Sequence, residues 1–355
     1  MTKENRKSKS KLLVVILAIA VILFGGGLGF YLFGISAAEP GNTDEVVITV
    51  ESGSGALTVL EELDEAGLVK NKFCGKVLVK VSGFNDIQAN TYVFSKDMPL
   101  TKIFVAMEEG DPDYLSDSKV TIIEGATIPQ AAAEVSETMG IPAADVIAVW
   151  ADQTYLKELI GKYWFLTDEI LNPDLLYPLE GYLYPETYFV GEGTSAEDIK
   201  VLTERMLDKM DQELTPLKDE IKDMSMTVHE FLSFASVVER ESLFEEDRPM
   251  IAGVFLNRLQ TGMPLQSDIT VLYAIGKSHV DVSIAETQVD SKYNTYKYPG
   301  LPVGPVCAVP ARTMEDCINY ESSEYYFFFA TEDGDVIYTK TYDEHMKVVE
   351  ENKWY

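Results

Sequence analysis

The hydrophobic pattern of this chain changes character three times. An uncharged apolar run from Leu12 to Ile35 follows a cluster of five basic residues, Lys3, Arg6, Lys7, Lys9 and Lys11. At 1.5 Å per residue it is long enough to cross a bilayer core, and it predicts one membrane-spanning helix with residues 1–11 in the cytoplasm. A cleaved signal peptide is the rival reading, with Ser36-Ala37-Ala38 as small residues for cleavage. The run exceeds the usual apolar length of such a signal, which favours a retained anchor.

Pro40, Gly41 and Asn42 mark a short linker over 36–44, and a small α+β pattern follows over 45–118. Val46 to Val50 and Asn90 to Phe94 read as strands. Leu57, Leu60 and Leu63 recur at helical spacing up to Gly67, and Leu100 to Glu109 reads as a helix closed by Gly110. After a strand at Lys119 to Ile123, helices dominate 119–355: Ile128 to Met139, Ala143 to Leu159 and Ala196 to Met210. The fold class expected is α+β, with an N-terminal transmembrane helix, a small module, and a larger mixed α+β domain.

The most telling helix starts at Thr227, where Thr227-Val228-His229-Glu230 fits a capping box ahead of Phe231, Leu232, Phe234 and Ala235. Taken at 100° per residue, Phe234, Val237 and Val238 line one face, and Glu241 falls on that same face. Both Glu239 and Glu241 are expected well inside the helix. An acid placed among hydrophobes is desolvated, keeps its proton near neutrality and so suits general-acid chemistry. The plainer reading pairs Glu241 with Arg248 or Arg258.

Three segments combine rigid turns, aromatics and short polar side chains. They are Leu179 to Tyr188, Leu265 to Asp268, and Tyr293 to Tyr296 followed by Gly300-Leu301-Pro302-Val303-Gly304-Pro305. Tyrosine faces with hydroxyl tips suit sugars, and a tyrosine-rich strand packed into the domain fits the first segment equally well.

Charge narrows the function. The chain carries a formal charge of −29, and because its first 35 residues contribute five basic and one acidic group, the remainder is near −33. That excludes a nucleic-acid partner on electrostatic grounds. Cys74, Cys307 and Cys317 give no pairing framework, and His229, His279 and His345 lie far apart without ligand spacing, so neither a disulfide scaffold, a metal nor a cofactor is expected.

Ala235-Ser236-Val237-Val238-Glu239-Arg240-Glu241-Ser242, Val254 to Leu259, Leu265 to Asp268, Tyr293 to Tyr296 and Gly300 to Pro302 together resemble the endolytic murein transglycosylase family, also called YceG-like. The resemblance extends over essentially the whole chain. It implies a LysM-like module over 45–118, a catalytic domain over 119–355 with a lysozyme-like glutamate site, and cleavage of peptidoglycan between N-acetylmuramic acid and N-acetylglucosamine. The location implied is the outer face of a bacterial cytoplasmic membrane, among partners of the wall-synthesis machinery such as penicillin-binding proteins. Glu241 matches the family's catalytic acid. Ser242, Gln266, Asp268, Tyr293, Asn294, Thr295 and Tyr296 are the substrate-binding candidates, with Asp268 alternatively capping a helix near Thr270. Asn257 and Arg258 are read as substrate contacts or as braces. Ile269 and Val303 stand where the family usually has proline. Two other functions remain open at this point: a non-catalytic wall-binding scaffold, and a muramidase using Glu241 with Asp268.

Overall fold

The computed structural model describes residues 25–352 except 117, 192–194, 243, 278–281 and 333. Most of the expected membrane span therefore lies outside the described residues, and among these no helix is long and apolar enough to cross a membrane. Residues 25–34, helix α1, are helical and largely exposed. The chain divides into two compact units, one running to Ser118 with Phe189–Gly191 added, the other holding the rest.

The first unit has strand β1 (Glu45–Thr49), helices α2 (Ala56–Glu65) and α3 (Lys72–Ser82), strand β2 (Thr91–Ser95) and helix α4 (Leu100–Glu109). The two strands pair antiparallel, Glu45 opposite Ser95 and Thr49 opposite Thr91. Buried Leu60 and Leu63 from α2, Tyr92 and Phe94 from β2, and Ile103 and Phe104 from α4 form its core, as the apolar spacing of the sequence requires. Gly110 closes α4 in the left-handed conformation at φ 61°.

The second unit begins with β3 (Lys119–Thr121) and continues through α5 (Ile128–Met139), α6 (Ala143–Trp150), α7 (Gln153–Lys162), β4 (Thr187–Phe189), α8 (Ala196–Leu214) and α9 (Lys218–Asp223). Then come α10 (Val228–Glu241), α11 (Arg248–Thr261), α12 (Asp268–Ile275), α13 (Ala311–Ile318), the antiparallel pair β5 (Phe327–Ala330) and β6 (Val336–Thr339), and α14 (Tyr342–Asn352). The single helix expected over Ala143 to Leu159 is two. Asp152 accepts hydrogen bonds from the Thr154 and Tyr155 amides and starts a new helix there.

Helix α10 is the central element, packed against α11, α12 and α13. The capping box is present: Thr227 Oγ1 accepts from the Glu230 amide at 3.2 Å, and the Glu230 carboxylate accepts from the Thr227 amide at 2.8 Å. Every residue from Phe231 to Val238 is buried. The tyrosines of the 179–188 segment also belong to the interior. Tyr182, Tyr184 and Tyr188 are buried, so the sugar-facing reading of their rings gives way to the packed one. Their hydroxyls are used internally. Tyr182 meets His229 Nδ1 at 2.8 Å, and His229 Nε2 lies 2.9 Å from the Val303 carbonyl oxygen, which ties this segment, α10 and the 300–305 turn together.

Candidate active site

Glu241 is the last residue of α10, with Ser242 as its C-cap, and does not lie well inside the helix as its spacing suggested. The helix stops because Ser242 turns to an extended backbone and its Oγ donates back to the Val238 carbonyl at 2.8 Å. This places the acid at the negative end of the helix dipole, which disfavours a second negative charge. Part of the residue remains open to solvent, while its carboxyl is enclosed by protein atoms. Desolvation is the main cause that pushes its pKa up to about 7, and the charge of Asp268 adds to it. The Ser267 hydroxyl opposes the shift by donating to Oε1 at 2.5 Å, and Arg258 and Arg240 oppose it through charge.

Glu239 has a different fate. Its Oε2 accepts from Thr313 Oγ1 at 2.5 Å and pairs with Arg248 Nη2 at 3.2 Å, both partners being buried. The ion pair and the Thr313 hydroxyl commit the Glu239 carboxylate to partners inside the fold, away from Ser267 and Asp268. Arg248 is therefore a partner of Glu239, and Glu241 has no arginine at ion-pair distance among the described residues.

The loop entering α12 presents the groups around Glu241. Gln266 is exposed and takes a left-handed backbone at φ 49°, and its amide donates to the Thr295 carbonyl at 3.2 Å. That turn aims Ser267 at the acid, and the Ser267 amide donates to Thr295 Oγ1 at 3.0 Å. Thr295 Oγ1 also meets Thr270 Oγ1 at 2.9 Å, inside the fold. Asp268 is the first residue of α12, whose N-cap is Ser267, and its Oδ1 accepts from the Tyr296 hydroxyl at 2.6 Å. Thus Glu241, Ser267, Asp268 and Tyr296 are brought together, with Gln266 at their rim.

Other candidates stand behind this group. Tyr293 is fully buried with its ring 4.8 Å from that of Tyr273. Asn294, also buried, donates to the Thr287 and Val289 carbonyls at 3.0 and 2.8 Å and accepts from the Tyr296 amide. Thr295 is buried, and Ser242 is occupied with its own helix. Arg258 donates from Nη1 to the Leu265 carbonyl at 2.5 Å and from Nε to the Tyr326 carbonyl at 2.6 Å, holding the Ser267 loop from below. Asn257 donates to the Ser323 and Tyr325 carbonyls.

Two residues were not singled out by the sequence. Ser267 lay within the quoted Leu265 to Asp268 segment, but nothing in its spacing marks a hydrogen bond to a residue 26 positions away. Glu180 is the second. It is buried, accepts from the Ile128 amide at 3.1 and 3.0 Å through its two oxygens, and accepts from the Tyr273 hydroxyl at 2.9 Å. Its pKa is also pushed up to about 7, chiefly by burial, with the Ile128 bond opposing. A carboxyl bound at the first turn of α5 is a structural clamp between that helix and α12.

This arrangement supports proton donation and return at a single carboxyl, flanked by the buried Ser267 hydroxyl and the half-buried Asp268 and Tyr296. The YceG-like family model matches residues 48–351. A Bacillus subtilis protein named endolytic murein transglycosylase is 35% identical over 327 residues, which is 91% of this chain and 89% of that protein. A Streptococcus pneumoniae protein of the same name is 34% identical over 355 residues, 95% of this chain, and this chain spans 64% of its length. The crystal structure of a yceG-like protein from Listeria monocytogenes superimposes with a TM-score of 0.62 at 34% identity, covering 86% of this chain and 99% of that one.

Proposed function

The chain belongs to the YceG-like family, and from that premise we propose that it is an endolytic peptidoglycan lytic transglycosylase, cutting glycan strands between N-acetylmuramic acid and N-acetylglucosamine. The observation that carries this reading is Glu241, a carboxyl whose pKa near 7 lets it hold a proton and yield it within one catalytic cycle.

In its protonated form Glu241 donates to the glycosidic oxygen, and the N-acetylglucosamine side departs. The negative charge of Asp268, oriented by Tyr296, favours the oxocarbenium-like state that develops at the muramic acid anomeric carbon. The resulting Glu241 carboxylate accepts a hydrogen bond from Ser267 and then takes the proton from the muramic acid C6 hydroxyl. Oxygen six closes onto carbon one and leaves an anhydro end. One carboxyl performs both transfers and no second carboxyl attacks the sugar, whereas glycoside hydrolysis ordinarily employs a pair, the second as base or as nucleophile. Gln266 is proposed as a rim contact to the glycan. Tyr293, Asn294, Thr295 and Ser242 act on substrate indirectly, by fixing the loop and helix end that carry the contacting groups.

The proposed location is the extracytoplasmic face of a bacterial membrane, with the Leu12–Ile35 run as a retained anchor. The β-α-α-β order of β1, α2, α3 and β2 is what supports a LysM-like reading of the first unit. In such a setting the enzyme would terminate nascent strands beside the synthetic machinery, including penicillin-binding proteins.

Mass spectrometry of fragments released from purified peptidoglycan tests the reaction. Anhydro-muramic ends made by the unmutated chain and lost in Glu241→Gln, with a rate drop of about a hundredfold or more, are the expected result. Reducing ends dependent on Glu241 would instead make the protein a muramidase and give Asp268 the second carboxylate role. No release by either chain would leave a binding scaffold.

A further inference from the structure

A cavity of about 440 Å³ lies against α12, with neither Ser267 nor Asp268 in its walls, and nothing in the proton-transfer scheme uses it. Its walls are Ile269, Leu272 and Tyr273 from α12, Tyr177 from the loop before β4, Gln130 from α5, and Arg240 from α10. It is joined to the acid by sequence as well as space: Arg240 precedes Glu241 and Ile269 follows Asp268. A ligand held here is one residue away, on both walls, from the groups that act on the glycosidic bond.

The electrostatics of Arg240 point to the kind of ligand. Among the described residues its guanidinium makes one hydrogen bond, Nη1 to the Gly125 carbonyl at 3.1 Å, and no ion pair. Its neighbours in charge are Glu180 and Glu241, both with pKa values pushed up to about 7 by burial and so only partly ionised at neutrality. Each is already bonded elsewhere, Glu180 to Ile128 and Tyr273 and Glu241 to Ser267. Lys277 at the rim is neutralised by Glu286 at 2.7 Å. Arg240 is thus a cation facing an aromatic-walled cavity with donors to spare, an arrangement that recognises a carboxylate attached to a partly apolar chain. In a chain of formal charge −29, general attraction of anions does not explain it.

Peptidoglycan offers such a group, because its muramic acid residues carry short peptides that bear free carboxylates. We infer that this cavity receives the peptide branch of the muramoyl residue at the cut, with Arg240 pairing a peptide carboxylate, so that the enzyme distinguishes peptide-bearing strands from bare glycan. The inference rests on the murein-cleaving function proposed above. It adds a specificity site beside α12 and assigns Arg240 the role of a substrate-binding residue.

Cutting efficiency is to be compared on murein strands with their peptides and on strands stripped of them by an amidase, using the full chain in detergent. The unmutated enzyme is expected to prefer peptide-bearing strands by about tenfold, the size of one charge-assisted pair. Arg240→Gln is expected to bring the ratio near one. Ala274→Phe, which fills the cavity from α12 without touching the acid, is expected to do the same. Because Arg240 also lowers the pKa of Glu241 by its charge, the pH profile on bare glycan is measured for each variant and the ratio taken at matched protonation. Equal efficiency of the unmutated enzyme on both substrates overturns the proposal, as does a ratio that survives both substitutions. Calorimetry with an N-acetylmuramoyl pentapeptide separates this from the lytic reading. Binding by the unmutated chain and by Glu241→Gln, lost in Arg240→Gln, supports the site whether or not strands are cut. Absence of binding by the unmutated chain at millimolar ligand overturns it.

Discussion

The Ser267 hydroxyl stabilises the ionised form of Glu241, while burial and the Asp268 charge stabilise the protonated one. Cleavage needs the proton, so kcat/KM should decline as pH rises through about 7. Removing the hydroxyl takes away an interaction that lowers the pKa. In Ser267→Ala the alkaline limb should therefore move to higher pH by roughly one unit, with a lower rate at the plateau. A pH–rate profile checks this, and a limb that stays in place or moves down would separate Ser267 from the acid. Glu180 provides a second titration, read in stability. Its folded pKa of about 7 exceeds the ordinary value of 4.5, so the folded state binds the extra proton between those values. Stability contributed by this group is then greatest below about pH 4.5 and declines as pH rises towards about 7, by about 3 kcal/mol in all. Glu180→Gln should flatten that part of the stability–pH curve in urea unfolding. An equally steep curve in the variant would show that the slope arises elsewhere, Glu241 being the next source.

Elements differ in how plainly the sequence announces them, and α10 and α11 show why. Helix α10 carries a Thr227–Glu230 capping box and an apolar run, so its start was legible, whereas its end was not. The stop depends on the Ser242 backbone and on the loop that meets it. Helix α11 is buried nearly all round, with Ile251, Ala252, Gly253, Val254, Phe255 and Leu256 enclosed, so no stripe tells which neighbour each face meets. The 262–310 segment has little regular structure. Side chains such as Asn294, Thr295 and Thr270 satisfy its backbone, and such bonds have no period to detect. Its role was legible only through the order of its motifs. Glu241 stands out in the sequence by the face it shares with Phe234 and Val238, and it sits at a helix end, not in a helix interior. The packing of α11 yields a sharp prediction. A Cβ added at Gly253 would lie 2.1 Å from the backbone oxygen of Glu321, in the segment to which Asn257 and Arg258 also bond. Gly253→Ala must push that backbone away, at a cost of about 1–3 kcal/mol. Arg258 links the same segment to the Leu265 carbonyl and so to Ser267, so activity should fall with stability. Calorimetry showing an unchanged Tm would refute the contact.

At the scale of the molecule, the junction between α1 and the first unit bears on what can be cut away without harm. Ile35 is only 8% exposed and belongs to the same core as Leu60 and Phe94, and its carbonyl accepts from the Leu100 amide at 3.0 Å. Gly34 lies so close to α3 that a Cβ there would fall 2.4 Å from Cys74 Sγ. Lys70 Nζ donates to the Ala37 carbonyl at 2.9 Å, and the Glu39 amide donates to the Lys96 carbonyl at 3.0 Å. Residues 34–39 are therefore part of the unit's packing. A soluble form that starts at residue 38 removes the buried Ile35 side chain and leaves the Leu100 amide unpaired. Burial of one such side chain is worth about 1.5–3 kcal/mol, and the freed amide returns to water at small cost because the cut opens the site. A fragment starting at residue 25 should retain that contribution. Hydrogen exchange at the core amides of α2 and β2 compares the two directly: faster exchange in the shorter fragment is expected, while amides in α10 should exchange alike in both, since α10 belongs to the other unit. Equal protection of α2 and β2 in the two fragments would mean that Ile35 adds nothing to the core. It would also mean that the proposed anchor can be removed up to residue 37 without disturbing the unit that follows it.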